Sequence, residues 1–231
     1  THYDMLGICH VVLQENGHVQ PGMFCVGGDS HSPSGGAFGA FMVGMGATDI
    51  TGALVTGEVW LRVPQTTRIQ IDGQLGNGVS AKDIMLMLCG QHGMGNEGQV
   101  FEYGGSAIAA LPMHERLTLC NMAAELGAET GIVEPDAITL AALEAAGKPF
   151  AGDINQWRSD ADAAYAAVHR YNAADIGPYV AAPHSPANSL PVSAHAGVRV
   201  DQAYIGACTG AKLEHLRMAA RVLAGRKVAK G

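Results

Sequence analysis

The chain has 231 residues, of which 48% are apolar, only 15% charged and 31 glycine, with a formal net charge of −7. Charged residues usually make up ~25% of a soluble domain, so much of this chain is expected to be buried, and its apolar content excludes a disordered protein. No basic run stands out, which excludes nucleic acid as the expected partner, and the apolar stretch over residues 35–55 is broken by glycines and by Asp49, which argues against a membrane span.

In chain order, residues 23–26 read as a buried strand. Residues 36–57 read as one or two packed, glycine-rich helices. "TTRIQID" (66–72) alternates polar and apolar residues, as a half-exposed strand does. Ser80 opens a helix with Asp83 as a capping-box partner, and the helix closes near Gly90. "QVFEY" (99–103) is another short strand. Residues 113–126 form a helix with Leu117, Cys120 and Ala124 as its apolar stripe, stopped by Gly127. "ITLAALEAAG" is a shorter helix.

From 148 to 182 the pattern weakens, with an alanine-rich piece at 161–168. "PHSPANSLP" (183–191) reads as a linker or extended loop. "VDQAYIGACTGAKLEHLRMAARVLAGRKVA" then reads as strand, turn, helix and the next strand, with Leu213, Leu216, Ala220 and Leu223 on one helix face. Strands alternating with helices predict an α/β class. Thr1 in place of methionine, and "GRKVA" just before the end, lead us to expect a piece of a longer protein.

Five cysteines (Cys9, Cys25, Cys89, Cys120 and Cys208) are odd in number, widely spaced and not preceded by a signal peptide. A reduced, cytoplasmic compartment is expected. No Cys-x-x-Cys pair occurs, so a complete zinc site of the usual spacing is not expected.

The residues that could carry chemistry are few. Asp29, Ser30 and His31 follow the first strand, where open α/β sheets place their ligands. They could also simply cap the next helix. A serine-esterase reading of "GDSHS" fails, because the elbow's closing glycine and an Asp-x-x-His pair are both missing. Cys208 lies in a turn before a helix, where amides and the helix dipole favour a thiolate. That thiolate is either a nucleophile or a metal ligand; otherwise Cys208 is a small buried residue. Asn121 and Glu125, four apart, share a helix face at the rim of the apolar stripe. His10 is either packed or catalytic.

Three stretches taken together resemble the aconitase superfamily: "GICHVVLQENG-HVQPGMFCVGGDSHSPSGGAFGAFMVGMGATD", "CNMAAELGAETGIVEPD" and "YIGACTGAKLEHL". The resemblance is nearest to the large-subunit branch of the 3-isopropylmalate dehydratases. It implies a three-layer α/β/α aconitase-like core, incomplete in this chain. Its expected parts are the end of a first α/β unit (1–64), a second unit (65–180) and the truncated start of a third (181–231).

The resemblance also implies a hydro-lyase that moves water between neighbouring carbons of a small hydroxy-carboxylate, with 3-isopropylmalate in leucine biosynthesis as the leading substrate. Homoaconitate, citrate or a non-catalytic relative are the alternatives. It implies a [4Fe–4S] cluster held by three cysteines in the complete protein, expected to be absent from this chain alone, and a small swivel-domain subunit as partner. Asp29, Ser30, His31, His10 and Glu125 fall on the family's catalytic positions. Cys208 falls on the first cluster ligand, with Asn121 and Thr209 beside the cluster. Cys9, Cys25, Cys89 and Cys120 are expected to be structural.

The departures are Gly210, where the family has asparagine, and Ala207, where it has serine. The later Gly-Cys-x-x-Cys motif, an upstream Asp-His motif, and the downstream arginines and serine base all lie outside these residues.

Overall fold

The computed structural model describes residues 2–227. The chain opens with α1 (Cys9–Glu15) and then β1 (Phe24–Gly27). A 3-10 run over Ser32–Phe38 follows, with every residue buried, and leads to β2 (Phe41–Gly44), which pairs in parallel with β1. Only after that comes a helix, α2 (Ala47–Thr56).

The expectation of packed helices across 36–57 is therefore corrected at residues 41–44. Phe41, Met42 and Val43 prefer a pleated surface. A short apolar run between glycines looks the same for a buried strand as for a buried helix. Gly36 explains the glycine richness: a Cβ there would collide with the carbonyl of Gly131, so the 3-10 run can lie directly against a strand of the main sheet.

That sheet is built from β3 (Gln65–Asp72), α3 (Ala81–His92), β4 (Gln99–Gly104), α4 (Ser106–Ala109), α5 (Met113–Asn121), β5 (Thr130–Val133), α6 (Ala137–Ala145) and β6 (Ala167–Asn172). The strand order is β5-β4-β3-β6, with every pair parallel. Thr67, Ile69 and Ile71 on β3 are buried, as are Phe101 and Tyr103 on β4. They share one core with Ile84, Met85 and Leu88 of α3 and Leu119 and Cys120 of α5. This is the α/β class expected. On the other side of the sheet Arg68 pairs with Glu102, which also accepts from Ser159 (2.9 Å) and Tyr165 (3.0 Å).

Two strands of the main sheet escaped the sequence. β5 has only four residues, one of them Gly131, whose missing Cβ makes room for the Tyr103 ring and the backbone of Cys120. β6 grows out of the alanine-rich piece. It is held by β3 more than by its own alternation, which is weak because it is half exposed.

The expected helix boundaries stand at Ser80, where the Asp83 carboxylate accepts from both the N–H (2.8 Å) and the hydroxyl of Ser80. The other oxygen of Asp83 takes the N–H of Tyr179 at 2.9 Å and so anchors β7 (Tyr179–Ala181). β7 pairs antiparallel with β8 (Ser189–Pro191), so the stretch expected as a linker closes a small hairpin instead.

α5 stops at Asn121. The expected length to 126 is completed by a 3-10 turn, Met122–Ala124, ending at Gly127 with φ +73°. At its centre Arg116 is fully buried, and its guanidinium donates to both oxygens of Asp136 (2.8 and 2.7 Å) and to the carbonyls of Leu111 and Ala109. Asp136 in turn accepts from Ile138 and Thr139 at the start of α6. Burial opposes its ionisation, but the bonds and charge of Arg116 hold the carboxyl below its ordinary range.

Residues 200–206 carry no paired strand, which corrects the strand expected there; the backbone runs extended into a single turn, α7 (Ala207–Gly210), and then α8 (Leu213–Leu223). α8 buries none of its residues, and Leu213, Leu216 and Leu223 of its apolar face are exposed. The further strand expected beyond it runs into residues 228–231, outside those described. No described helix is long and apolar enough to cross a membrane.

Candidate active site

β1 ends at Gly27, and the chain turns at its carboxyl end through Asp29, Ser30 and His31. The turn is built locally. Asp29 Oδ1 accepts the N–H of His31 at 2.7 Å, an Asx-type turn, and the Asp29 carbonyl accepts from the Ser32 hydroxyl at 2.7 Å. Asp29 is therefore the turn residue and its carboxylate faces His10 and His31; the following 3-10 run has His31 at its N-cap with no side-chain cap bond, so the capping expectation for Asp29 and Ser30 is corrected.

His31 projects from this turn towards the end of the α5 segment. Its Nε2 lies 3.0 Å from Glu125 Oε1, while Nδ1 faces Ser30 Oγ at 3.5 Å and Asp29 Oδ1 at 3.8 Å. The hydrogen bond to Glu125 raises the His31 pKa; burial opposes it, and the charges of Glu125 and Asp29 add to the rise. His10, on α1, is almost wholly buried, with Nδ1 3.4 Å from Asp29 Oδ1. Burial lowers its pKa against the pull of Asp29, and the positive charges of His31 and Lys212 push in the same direction as burial. The two imidazoles, 6.5 Å apart between centroids, are thus shifted in opposite directions. His10 Nε2 and Glu125 Oε2 are both buried without a hydrogen-bond partner. Buried polar atoms are normally satisfied, so these two are vacant positions for a ligand's polar groups.

One turn before Glu125, the side-chain amide of Asn121 donates from Nδ2 to Cys208 Sγ at 3.5 Å, and its Oδ1 accepts from the Thr209 hydroxyl at 2.6 Å. Asn121 is fully inside, so its two partners fix which way the amide points. The structure therefore forms two contact groups, Cys208–Thr209–Asn121 and Glu125–His31–Ser30–Asp29–His10, joined by the short 3-10 turn between Asn121 and Glu125. Glu125 also lines a cavity of about 510 Å³ with Ser80, Lys82 and Met122. A cavity of about 610 Å³ lies away from these residues, between α2 and Trp60.

Three details differ from the sequence reading. The helix after Cys208 is only one turn, so the dipole of a long helix does not act on its sulfur. The hydrogen bond to that sulfur comes from Asn121, and Gly210 faces open space. Cys9 is exposed, with Sγ 4.0 Å from His10 Nδ1, and its ligand atom gathers with those of His10 and Asp29, so it is no core cysteine. Cys89 and Cys120 are fully buried; burial pushes the Cys89 thiol up to about 12 and that of Cys120 higher. Cys25 is half-buried and also raised by burial.

Lys212 was not singled out from the sequence. Its ammonium donates to the carbonyls of Cys208 (3.2 Å) and Thr209 (3.0 Å) and to the Thr118 hydroxyl (3.3 Å), and burial brings it down to about 8 against the charges of Cys208, Glu115 and Glu15. Its position four residues after Cys208 was the available signal. Ala207, just before Cys208, holds a left-handed backbone at φ +69°.

For a cubane cluster, the fit is that of one corner. Cys208 is only partly buried and its sulfur takes one amide hydrogen bond, as a ligated thiolate would; no other cysteine joins it among the described residues.

The chain is similar to known proteins along nearly its whole length. The family model described as "Aconitase family (aconitate hydratase)" matches residues 2–231. A protein of Methanosarcina mazei named "Probable methanogen homoaconitase large subunit" is 47% identical over 223 residues, covering 96% of this chain and 56% of that protein. The 3-isopropylmalate dehydratase large subunit 1 of Methanopyrus kandleri is 43% identical, covering 96% of this chain and 53% of its own length. The 3-isopropylmalate dehydratase large subunit of Heliobacterium modesticaldum is also 43% identical, covering 99% and 54%. The chain spans about half the length of the curated relatives it matches.

Proposed function

The chain belongs to the aconitase family, and from that premise we propose that the whole protein is the large subunit of a cytoplasmic hydro-lyase that dehydrates and rehydrates a small hydroxy-carboxylate. The leading substrate is 3-isopropylmalate, as the names of two relatives suggest. The partner is a small swivel-domain subunit. Residues 1–64, 65–180 and 181–231 are the proposed parts of three α/β units.

The observation that carries the reading is geometric: His31 Nε2 lies 3.0 Å from Glu125 Oε1 and His10 Nδ1 lies 3.4 Å from Asp29 Oδ1, next to two unsatisfied buried polar atoms and the Asn121-bound sulfur of Cys208. Cys208 would hold one corner of a [4Fe–4S] cluster, which when bound supplies a Lewis-acidic iron to the substrate's hydroxyl and carboxylate. His31 keeps a proton because Glu125 stabilises its imidazolium, and offers Nδ1–H to the departing hydroxyl, which is a poor leaving group without an acid. Glu125 Oε2, free of other partners, can take a hydrogen bond from the released water. Neutral His10, with its Nδ1–H towards Asp29, can accept at Nε2 from a substrate hydroxyl. Asn121 and Thr209 orient the sulfur. The base that removes the carbon-bound proton lies outside these residues.

A homoaconitase activity is the second reading, favoured by the relative at 47% identity. The test is an assay of the whole protein with its small subunit on 3-isopropylmalate, homoaconitate and citrate. Turnover of the first supports the leading reading, turnover of homoaconitate alone selects the second, and turnover of none refutes the enzyme.

A further inference from the structure

Apart from the two contact groups around Cys208 and His31, a third group of ligand-forming side chains meets between α5 and α8. Glu115 Oε1 lies 3.1 Å from His215 Nε2 and 3.7 Å from His114 Nε2. The two imidazoles stand edge to face with centroids 5.4 Å apart. The ligand atoms of a tetrahedral zinc site, each about 2.0–2.2 Å from the ion, lie roughly 3.3–3.6 Å apart, a range that falls between the two separations, and all three ligand atoms lie within 4.8 Å of one another. The other oxygen of Glu115 accepts the N–H of Ala81 at 2.5 Å, so the carboxylate is held in place by the start of α3. A cavity of about 170 Å³ lined by Glu115, His215, Thr118 and Gly210 adjoins the group and leaves room for a water as further ligand.

We infer that His114, Glu115 and His215 form a site for a divalent transition metal of the zinc type, and that the ion ties α8 to α5. Two imidazoles and a carboxylate with an open position are a donor set of zinc and its neighbours. Burial favours the neutral, ligating form of His114. Two cations oppose an ion there: Lys212, whose ammonium is already committed to two carbonyls and a hydroxyl, and Lys82, which lines the adjoining cavity.

α8 meets α5 through His215 and Glu115, 3.1 Å apart. An ion there would fix α8, and with it the turn carrying Cys208, against the helix carrying Asn121.

The test is a Co²⁺ titration of the whole protein, prepared without cluster and stripped by chelator. The expected result is a visible d–d spectrum of a nitrogen–oxygen site saturating near one equivalent, separate from the thiolate-to-cobalt charge transfer that the empty cluster cysteines give. It should be retained in Cys208→Ser and weakened at least tenfold in His114→Ala and in His215→Gln, the latter keeping a donor for Glu115. Far-UV circular dichroism checks that both variants fold. A titration unchanged in both histidine variants, no d–d absorption at all, or a signal that disappears with Cys208→Ser would each overturn the inference.

Discussion

The imidazole of His31 reaches across 94 residues of sequence to meet Glu125, Nε2 to Oε1 at 3.0 Å. This contact fastens the turn after β1 to the end of α5. It also sets a charge, because the carboxylate is the main reason that the His31 pKa rises.

Glu125→Gln should therefore move the His31 titration, followed by NMR in the whole protein, back towards its ordinary 6.5. The folded pKa is raised, so the stability His31 contributes is complete below the unfolded value and is lost as pH rises through the folded one. In Glu125→Gln the loss of stability on the alkaline side of 6.5 should shrink in denaturant titrations. An unchanged His31 titration would show that the contact does not govern its charge.

His10 should behave oppositely. Its folded pKa is depressed by burial, so the unfolded chain binds a proton that the folded one does not, and stability falls as pH drops from 6.5 towards the folded value. His10→Gln should flatten that acid-side slope. A slope as steep as that of the parent protein would assign it to another group.

Ala207→Gly should stabilise. A left-handed backbone at a residue with a Cβ costs on the order of 1–3 kcal/mol, part of which glycine returns as extra freedom of the unfolded chain; Ala207 sits there at φ +69°. A net gain of about 1 kcal/mol in a denaturant midpoint is expected, and a loss would mean that the alanine is not strained.

The class of the fold was legible because β3 alternates and α3 carries its own capping residues. Both signals are local. β2, β5 and β6 were hidden because each is short or half-exposed and depends on a neighbouring strand for its hydrogen bonds. At the site, Asp29, Ser30 and His31 could be seen as a cluster because they are adjacent in sequence. Their connection to Glu125 could not, since nothing in spacing alone says that residue 31 meets residue 125. Lys212 was hidden for a similar reason: an exposed-looking lysine on a helix is ordinary until its burial against the carbonyl of Cys208 is known.

Arg116→Ala should be among the most damaging core substitutions. It would leave Asp136 without its charge partner, free two buried carbonyls and open a cavity under α5. Breaking a buried pair on one side costs about 3–5 kcal/mol. A thermal or denaturant shift smaller than ~1 kcal/mol would show that Asp136 and the carbonyls find water instead.

Cys208 and Cys120 lie at the two ends of the question of what holds iron. Cys208 is partly exposed and takes the amide N–H of Asn121 on its sulfur. Cys120 is fully buried, and its thiol is pushed above its ordinary range by that burial, which makes thiolate formation costly. An anaerobic iron count on the whole protein should therefore show Cys208→Ser losing most of its cluster, with Cys120→Ala close to the parent protein once corrected for folded fraction. Asn121→Ala should fall between them: the thiolate remains, but the hydrogen bond that orients it and the anchor for Thr209 are gone, and outer partners of metal ligands are typically worth 10–100-fold in affinity or activity. If Cys120→Ala lost iron and Cys208→Ser kept it, the site would have to be rebuilt around the interior of α5, where no cavity is lined by that sulfur.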